Sequence, residues 1–468
     1  MSTALVLDKR SWAEKEFGGS PLGDKRRTDR VIKVATEFCS EAHGVLPQTF
    51  KAGWAGLKGA YRLMSNKEVT PEGIQQPHFE HTQAACLERG TYLLIEDTTD
   101  LNFTRPEEVR GIGWTGNEGE RGFLVHSTLA ARIEHWSPEG VPVVNVLGLF
   151  GQEVWTRRHK SRKNKETQWA RQQRSRESQR WARPLVASGG GPAWAKWIFC
   201  ADRESDIYEV IGGCSDQGTS FVIRACWPRK LDGERGGLRL AALNAPVLGQ
   251  VDLPLRARPG QPARIAKMTI RARAVTICAP DRPGGQGPKL TFNVVAAVEE
   301  NPPPGVKALL WILITDLPCD DLKACQKVLH IYENRWLIEE YHKALKTGVG
   351  VEKSQLETAE ALRNLLAILA IVAVRLLRLK LIGRSDPRRI ITPEEMSEED
   401  VQLLEKIYGR PKEGWTCRQI LRHIARLGGF LARTGDGEPG WLTIWRGWND
   451  FVPMLEGARL QREIQKCG

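Results

Sequence analysis

The chain has 468 residues, which at about 100 to 200 residues per domain corresponds to two to four domains. Hydrophobic residues make up 41% of it and charged residues 26%, values that exclude an intrinsically disordered chain. Sixty-eight lysines and arginines against 56 aspartates and glutamates leave a formal charge of +12. This excess favours a polyanionic partner, either nucleic acid or an acidic membrane surface.

The longest apolar run is too short to span a bilayer. It lies between Arg363 and Arg375 and has eleven residues, whereas a transmembrane helix needs about 20. The sequence therefore predicts a buried helix there and no membrane partner. Ten cysteines occur without a Cys-x-x-Cys pair, a pattern typical of reduced thiols in a cytoplasmic protein rather than of a zinc site.

The predicted elements begin with helices. The first 70 residues have a helical pattern with basic positions such as Arg30 and Arg62, which suits either a DNA-reading module or an ordinary solvated helix pair. Strand-like runs follow at 92–95, 123–131 and 141–150, separated by Gly, Pro and Asn turns. They predict an antiparallel meander.

A strongly basic segment comes next, at 157–183. It contains eleven lysines and arginines against two glutamates, a net charge of +9. Trp169 and Trp181 lie among the basic residues, and such a mixture suits a phosphate backbone with unstacked bases. A solvated loop explains the charge equally well, so the sequence leaves both interpretations open.

Strands and helices then alternate, which predicts an α/β class. A Pro- and Gly-rich segment at about 227–306 interrupts this alternation and is predicted to be a mostly β insertion. A buried strand at 308–315 and a long helix at 321–347 follow it, and the pattern is largely helical from residue 357 onward. The strand, helix and strand of the alternation are predicted at 197–200, 206–211 and 220–225.

Three acidic residues are the candidates for chemistry. Asp97 and Asp202 follow predicted buried strands, and Glu339 lies on the long helix. Carboxylates held this way could bind two divalent ions about 3.5 to 4 Å apart, which is the arrangement that hydrolyses and transfers phosphodiesters. Mg²⁺, with Mn²⁺ as a substitute, suits oxygen ligands and a phosphate substrate.

Each acid has a structural alternative. An Asp after a strand is commonly a turn or N-cap residue. The neighbours Glu96, Asp100, Glu204 and Asp206 are also within reach of such a site. Because adjacent side chains of a strand point to opposite faces, strand alternation alone does not choose between Glu96 and Asp97.

The long helix carries a polar stripe. Tyr332, Arg335, Glu339 and Lys346 follow at steps of three, four and seven, so at about 100° per residue they span roughly 60° of the helix. Glu339 could bind metal, Arg335 and Lys346 could hold phosphates, and Tyr332 could donate to a DNA backbone. An exposed face with an Arg335–Glu339 ion pair is the alternative.

This stripe resembles a family signature. The pattern Tyr332-x2-Arg335-x3-Glu339-x6-Lys346 resembles the Tyr-Arg-Glu-Lys signature of bacterial DDE transposases of insertion-sequence family four, the Tn-five-like group. The segments 96–99 and 202–206 resemble those that hold the first and second catalytic aspartates of that family. Further resembling stretches lie at 12–14, 59–62, 428–430 and the tryptophans 441, 445 and 448.

The resemblance implies a fold, an activity and a cofactor. The fold is α/β with an RNase-H-like core, and Asp97, Asp202 and Glu339 bind two Mg²⁺ ions. The implied activity is cut-and-paste transposition: the enzyme nicks the transposon ends, forms and reopens a hairpin, and joins the 3′ ends to target DNA. The implied domains are a helical DNA-binding domain at 1–70, a catalytic domain at 71–370 and a helical dimerisation domain at 371–468.

The resemblance also implies DNA contacts. Trp311 stands where the family keeps an aromatic ring that stacks on an unpaired base, although a Trp in an apolar strand is also an ordinary core residue. The remaining implied or candidate DNA contacts are Tyr332, Arg335, Lys346, Arg224, Arg62, Lys343, Trp336 and Arg30.

The implied partners are double-stranded DNA, as transposon ends and target, and a second copy of the chain in the synaptic complex. Apolar residues at 441–448 would serve the dimer interface or a small internal core. The basic segment 157–183 is more basic than the family pattern, so no role transfers to it. Two rival functions remain: a structure-selective nuclease without strand transfer, and a non-catalytic DNA-binding inhibitor.

Overall fold

The computed structural model describes residues 8–40, 45–50, 53–105, 109–116, 119–157, 180, 189–255, 262–281, 287–385, 387–392, 396 and 398–467. The basic segment 157–183 lies outside these residues except for Arg157 and Arg180. Arg180 contacts the end of the strand that precedes this segment. Its Nη1 lies 2.5 Å from Glu153 Oε2, and its guanidinium lies 4.4 Å from the Trp155 ring.

Helices form the N-terminal region, as predicted. Asp8 caps the first of them by accepting from the Ser11 amide, and Thr70 caps the fifth by accepting from the Gly73 amide, because side-chain oxygens satisfy amides that have no partner at a helix start. The helices are α1 (Lys9–Phe17), α2 (Lys25–Ser40), α3 (Leu46–Thr49), α4 (Trp54–Met64) and α5 (Pro71–Ala85).

The described strands form one ten-stranded sheet. Its order is β2-β3-β1-β5-β6-β10-β9-β8-β7, with β4 paired to β3. The pairs β1–β5 and β5–β6 are parallel and the others are antiparallel. The strands are β1 (Gly90–Asn102), β2 (Gly113–Trp114), β3 (Arg121–Trp136), β4 (Pro142–Trp155), β5 (Ala195–Ala201), β6 (Ser220–Arg224), β7 (Val247–Leu255), β8 (Arg264–Ile277), β9 (Leu290–Glu299) and β10 (Leu310–Thr315).

This architecture confirms the mixed α/β class and the antiparallel meander, which is built from β1, β3 and β4. Helix α6 (Tyr208–Asp216) joins β5 to β6 and covers one face of the sheet. The β-rich segment contributes helix α7 (Leu238–Leu243) and the strands β7, β8 and β9. Strand β9 pairs with β10, β8 with β9, and β7 with β8. The insertion therefore widens the central sheet.

The predicted end of the first strand was wrong. Residues 92–95 were expected to form a strand with Asp97 just beyond it, but β1 continues to Asn102 and Asp97 lies inside it, opposite Ser127 of β3. The parallel partner β5 pairs only as far as Glu96. Among the described residues, no strand pairs with that edge of β1 from Asp97 onward, while β3 continues to hold its polar residues in a strand.

The predicted long helix at 321–347 is divided. It consists of α8 (Leu322–Glu333), a break at Asn334 and Arg335, α9 (Trp336–Lys343) and a π-helical turn, Ala344–Gly348. The Asn334 side chain donates to the His330 carbonyl at 2.8 Å, and such side-chain bonds compete with helical ones. The single continuous helix was therefore a wrong prediction.

The C-terminal region is helical, as predicted. Its helices are α10 (Ala359–Ser385), α11 (Glu398–Tyr408), α12 (Cys417–Leu427) and α13 (Trp441–Cys467). The apolar run at 364–374 is buried in α10. In the part of the chain that the structure describes, no helix is both long and apolar enough to cross a bilayer.

The tryptophan cluster at the start of α13 packs within the chain. Ile444, Trp445 and Trp448 are each at most 5% exposed, whereas Leu442 is 44% exposed; the Trp441 side chain lies outside the described set. Of the two interpretations of these residues, the internal core is the one the structure supports for the three buried side chains. They are unavailable as a dimer surface.

The N-terminal helices share one core with the sheet and α10. The ring of Trp12 lies 4.8 Å from the buried guanidinium of Arg375, and Glu16 contacts His78 Nδ1 at 2.5 Å. Asn364 of α10 donates to the carbonyls of Met64 and Val69 at 2.9 and 3.0 Å. The helical module is consequently fixed to the body by buried polar contacts as well as by apolar packing.

Candidate active site

The two adjacent acids of β1 lie in different environments. Glu96 is 1% exposed; its Oε1 accepts from Thr128 Oγ1 at 2.7 Å and its Oε2 lies 3.1 Å from His126 Nε2. Asp97 points to the other face, toward Arg335 at the start of α9. The structure therefore separates the two residues that the sequence left as alternatives, and Asp97 is the one at the sheet edge.

Asp97 is held in a partly buried position. Its side chain is 18% exposed, Oδ1 accepts from the Thr98 amide at 2.8 Å and Oδ2 lies 3.4 Å from Arg335 Nη1. Burial raises the pKa of Asp97 to about 6, repulsion from Asp202 adds to the rise, and Arg335 opposes it. The repulsion shows that Asp97 and Asp202 are electrostatic neighbours, although 105 positions separate them in the sequence.

Asp202 follows β5 directly, as predicted. It caps the 3₁₀ turn Arg203–Ser205, and its Oδ1 accepts from the Glu204 amide at 2.8 Å. Because β1 and β5 are parallel and their last pair is Glu96 with Ala201, Asp97 and Asp202 follow neighbouring positions of the two strands. They lie at the carboxyl end of β5, where α/β proteins place their ligands. Glu204 also repels Asp97 and so lies at the same edge.

Asp206 has a structural role. It is 1% exposed, and its Oδ2 accepts from the amides of Cys226 and Trp227 at 2.7 and 2.9 Å. Its Oδ1 pairs with the Arg229 guanidinium at 2.5 Å. Both carboxylate oxygens are occupied in fixing the loop after β6, which removes Asp206 from the candidate ligands.

Arg335 links Glu339 to Asp97. The Nη2 group of Arg335 donates to Glu339 Oε1, while Nη1 of the same guanidinium faces Asp97. Burial lowers the pKa of Arg335, but Tyr332, Glu339 and Asp97 outweigh it and the net pKa is raised. Asp97 and Glu339 thus both contact the Arg335 guanidinium.

The carboxylates are not gathered into a single ligand cluster. Among the described residues, no group of three or more His, Cys, Asp and Glu side chains is placed to bind one metal ion. Asp97 faces Asp202 on one side and Arg335 on the other, and Arg335 separates it from Glu339. The donors are nonetheless all carboxylate oxygens, which suits Mg²⁺ or Mn²⁺.

The predicted polar stripe is only partly present. The break at Asn334 leaves Tyr332 on α8, where it is 5% exposed and packs edge-on against Trp311 with ring centroids 5.6 Å apart. Lys346 lies on the π-helical turn, with Nζ 3.4 Å from Asp100 Oδ1. Arg335 contacts both Tyr332 and Glu339, so these three residues lie on one side of the helix pair, and the stripe as a DNA-binding face stays a prediction.

Two family models match the ends of the chain. Residues 9–69 match the transposase DNA-binding model, and residues 369–468 match the model of the transposase Tn5 dimerisation domain. Both are transposase domains. Together they support a Tn5-like transposase, and hence a DNA-processing enzyme that binds DNA and forms a homodimer.

Arg30 and Arg62 lie within the matched DNA-binding region. The Arg30 guanidinium packs over Gly59 of α4 so closely that a Cβ there would lie 2.6 Å from Nη1. Arg62 is exposed on the same helix. The absence of a side chain at Gly59 thus leaves room for Arg30 of α2 to pack against α4.

The other predicted DNA contacts lie around the acidic edge. Arg224 ends β6 and donates to the Leu310 carbonyl at 3.2 Å, next to Trp311. Trp336 is half-buried and Lys343 is exposed, both on α9. Trp311 packs against the core as a core residue does, but it is only half-buried. Both interpretations of this ring, core residue and base-stacking platform, therefore stay open.

Sequence reasoning missed two histidines near the site. His126 binds Glu96 behind Asp97, and His342 is buried on α9, where burial lowers its pKa to about 3. His126, with Ser127 and Thr128, is a polar interruption of an otherwise apolar strand, which was the available signal. His342 gives no signal in the sequence, because its neighbours on α9 are also polar or aromatic.

Proposed function

We propose that the chain is a cut-and-paste DNA transposase of the DDE type, with an RNase-H-like catalytic core. The observation that supports this proposal is that Asp97 lies beside Asp202 and shares the Arg335 guanidinium with Glu339. These residues belong to the part of the chain between the matched DNA-binding and dimerisation regions.

These carboxylates fit a divalent metal centre. Asp97 carries a raised pKa because it is partly buried beside Asp202, and a divalent cation would offset both causes. Asp97, Asp202 and Glu339 would hold Mg²⁺, or Mn²⁺ in its place. When bound, the ions would supply an activated water or 3′-hydroxyl and stabilise the leaving oxygen.

The basic side chains would position the DNA strand. Lys346, paired to Asp100 at the rim, and Arg224, at the end of β6, flank the acidic edge. Cations in such places bind phosphate oxygens and fix the strand without reading its sequence. Trp311 beside Tyr332 would receive an unstacked terminal base during hairpin formation, since base–aromatic stacking is worth about 1 to 3 kcal/mol.

A strand-transfer assay tests the proposal. Purified protein is incubated with Mg²⁺, a supercoiled target plasmid and a duplex that carries the inverted repeat flanking the coding segment. A transposase gives plasmid joined to the 3′ ends and a hairpin intermediate. Cleavage without joining would identify the nuclease instead, and binding without cleavage would identify the inhibitor.

Replacing Trp311 separates hairpin formation from nicking. We expect Trp311→Ala to slow hairpin formation by roughly 5- to 100-fold, the equivalent of about 1 to 3 kcal/mol of stacking, with first-strand nicking unchanged. Denaturing gels of end-labelled duplex measure both steps. Trp311→Phe is the matched control and should retain most of the rate; a normal hairpin rate in Trp311→Ala would remove the base-stacking role.

A further inference from the structure

Arg335 uses one guanidinium to hold two of the proposed ligands. Nη1 lies 3.4 Å from Asp97 Oδ2, and Nη2 binds Glu339 Oε1. The guanidinium also lies 6.0 Å from the Tyr332 ring centroid. A side chain from the helix break therefore links a carboxylate of β1 to one of α9, two elements far apart in the sequence.

These contacts occupy one carboxylate oxygen of Asp97 and one of Glu339. A guanidinium only donates hydrogen bonds, so Asp97 Oδ2 and Glu339 Oε1 are turned toward a cation that is part of the chain. A metal ion that binds Asp97 and Glu339 would compete with Arg335 for these atoms. Arg335 and a metal bridging the two carboxylates are thus alternatives.

Arg335 can leave only if it gains another anion. Its side chain is 18% exposed, and a charge at that depth loses much of its hydration if both ion pairs break. A phosphate diester supplies a suitable partner, because guanidinium binds phosphate oxygens in the same forked geometry as carboxylates. Glu339, the partner of Arg335, has a side chain that is 56% exposed, so this ion pair reaches the protein surface.

We propose that Arg335 couples DNA binding to metal binding: a DNA phosphate takes the guanidinium and thereby releases Asp97 and Glu339 to bind the divalent ion. The inference rests on the proposed function, since it takes these two acids as metal ligands. By thermodynamic linkage, the metal would strengthen phosphate binding by the same factor. Metal binding would then be favoured where a DNA end is already in place.

The test measures Mn²⁺ binding directly, by the electron paramagnetic resonance signal of free Mn²⁺, in the full-length chain without DNA. Arg335→Gln removes the competing cation and should bind Mn²⁺ at least about tenfold more tightly than the wild type. Arg110→Gln, which breaks an exposed pair with Glu357, is the control and should leave the affinity unchanged. Equal affinities of wild type and Arg335→Gln would overturn the inference.

A second arm adds a pre-cleaved end duplex, which contains no bond left to cut. The duplex should tighten Mn²⁺ binding more in the wild type than in Arg335→Gln, and an equal gain in both would contradict the coupling. If Arg335→Gln does not fold, Arg335→Lys replaces it; one ammonium cannot hold both carboxylates as the fork does, so its affinity should be intermediate, and a wild-type affinity would again overturn the inference.

A separate variant distinguishes the two proposals. Asp97→Ala should lose Mn²⁺ binding if the metal centre exists. If Mn²⁺ binds equally well to Asp97→Ala and to the wild type in the presence of the pre-cleaved duplex, the metal centre of the proposed function fails. If Asp97→Ala loses Mn²⁺ binding but the Arg335 variants bind Mn²⁺ with the wild-type affinity, the metal centre stands and the coupling fails.

Discussion

We expect Asp97→Ala, Asp202→Ala and Glu339→Ala each to abolish nicking of the transposon end, with a fall in rate of at least about 1,000-fold. Such a fall corresponds to about 4 kcal/mol of lost transition-state stabilisation. The physical reason is that each carboxylate would fix a divalent ion against the scissile phosphate. Single-turnover cleavage of a labelled end duplex measures the loss.

DNA binding should survive these substitutions, because the matched DNA-binding region ends at residue 69. A mobility-shift assay on the same duplex checks this. Glu357→Ala, which removes an exposed acid paired with Arg110, is the control and should cleave at the normal rate. Cleavage that persists in Glu339→Ala would break the assignment of the third ligand.

Asp206→Ala should destabilise the protein strongly, by about 3 to 5 kcal/mol. The substitution leaves Arg229 without its carboxylate although that side chain is only 11% exposed, and it removes the acceptor of the Cys226 and Trp227 amides. The cost comes mainly from a buried charge that has lost its partner. Urea unfolding followed by circular dichroism measures the decrease.

The control is an ion pair on the protein surface. Asp232 binds Lys289 at 2.8 Å, but both side chains are well exposed, so Asp232→Ala should cost only about 0 to 1 kcal/mol. If the two variants unfold at the same urea concentration, the buried pair is not the determinant of this loop. A stable Asp206→Ala that has lost cleavage would instead return Asp206 to the candidate ligands.

Local patterns predicted much of the fold. Strand-like apolar runs between Gly, Pro and Asn turns predicted the meander of β1, β3 and β4, and the apolar run at 364–374 predicted a buried helix. The extension of β1 past Asp97 could not be foreseen, because the residues from 97 to 100 are polar and stay in a strand through their pairing with β3. The predicted domain boundaries at 70 and 370 stay predictions.

The helix break shows a different limit. The spacing from Tyr332 to Lys346 describes a stripe on one unbroken helix, whereas the structure has a two-residue break after Glu333 and a π-helical turn from Ala344. The ion pairs of Arg335 depend on how α9 packs beside β1. Sequence spacing predicts the Arg335–Glu339 pair, but the Asp97 contact joins residues 238 positions apart.

The attachment of the N-terminal helices constrains how DNA-end specificity could be re-engineered. Trp12 of α1 contacts Arg375 of α10, and Glu16 of α1 contacts His78 of α5, so α1 packs on polar side chains from outside the matched DNA-binding region. A graft of residues 9–69 from a protein that recognises a different terminal repeat would leave these partners facing foreign side chains. A functional chimera should therefore carry matched residues at 78, 364 and 375 together with the transplanted helices.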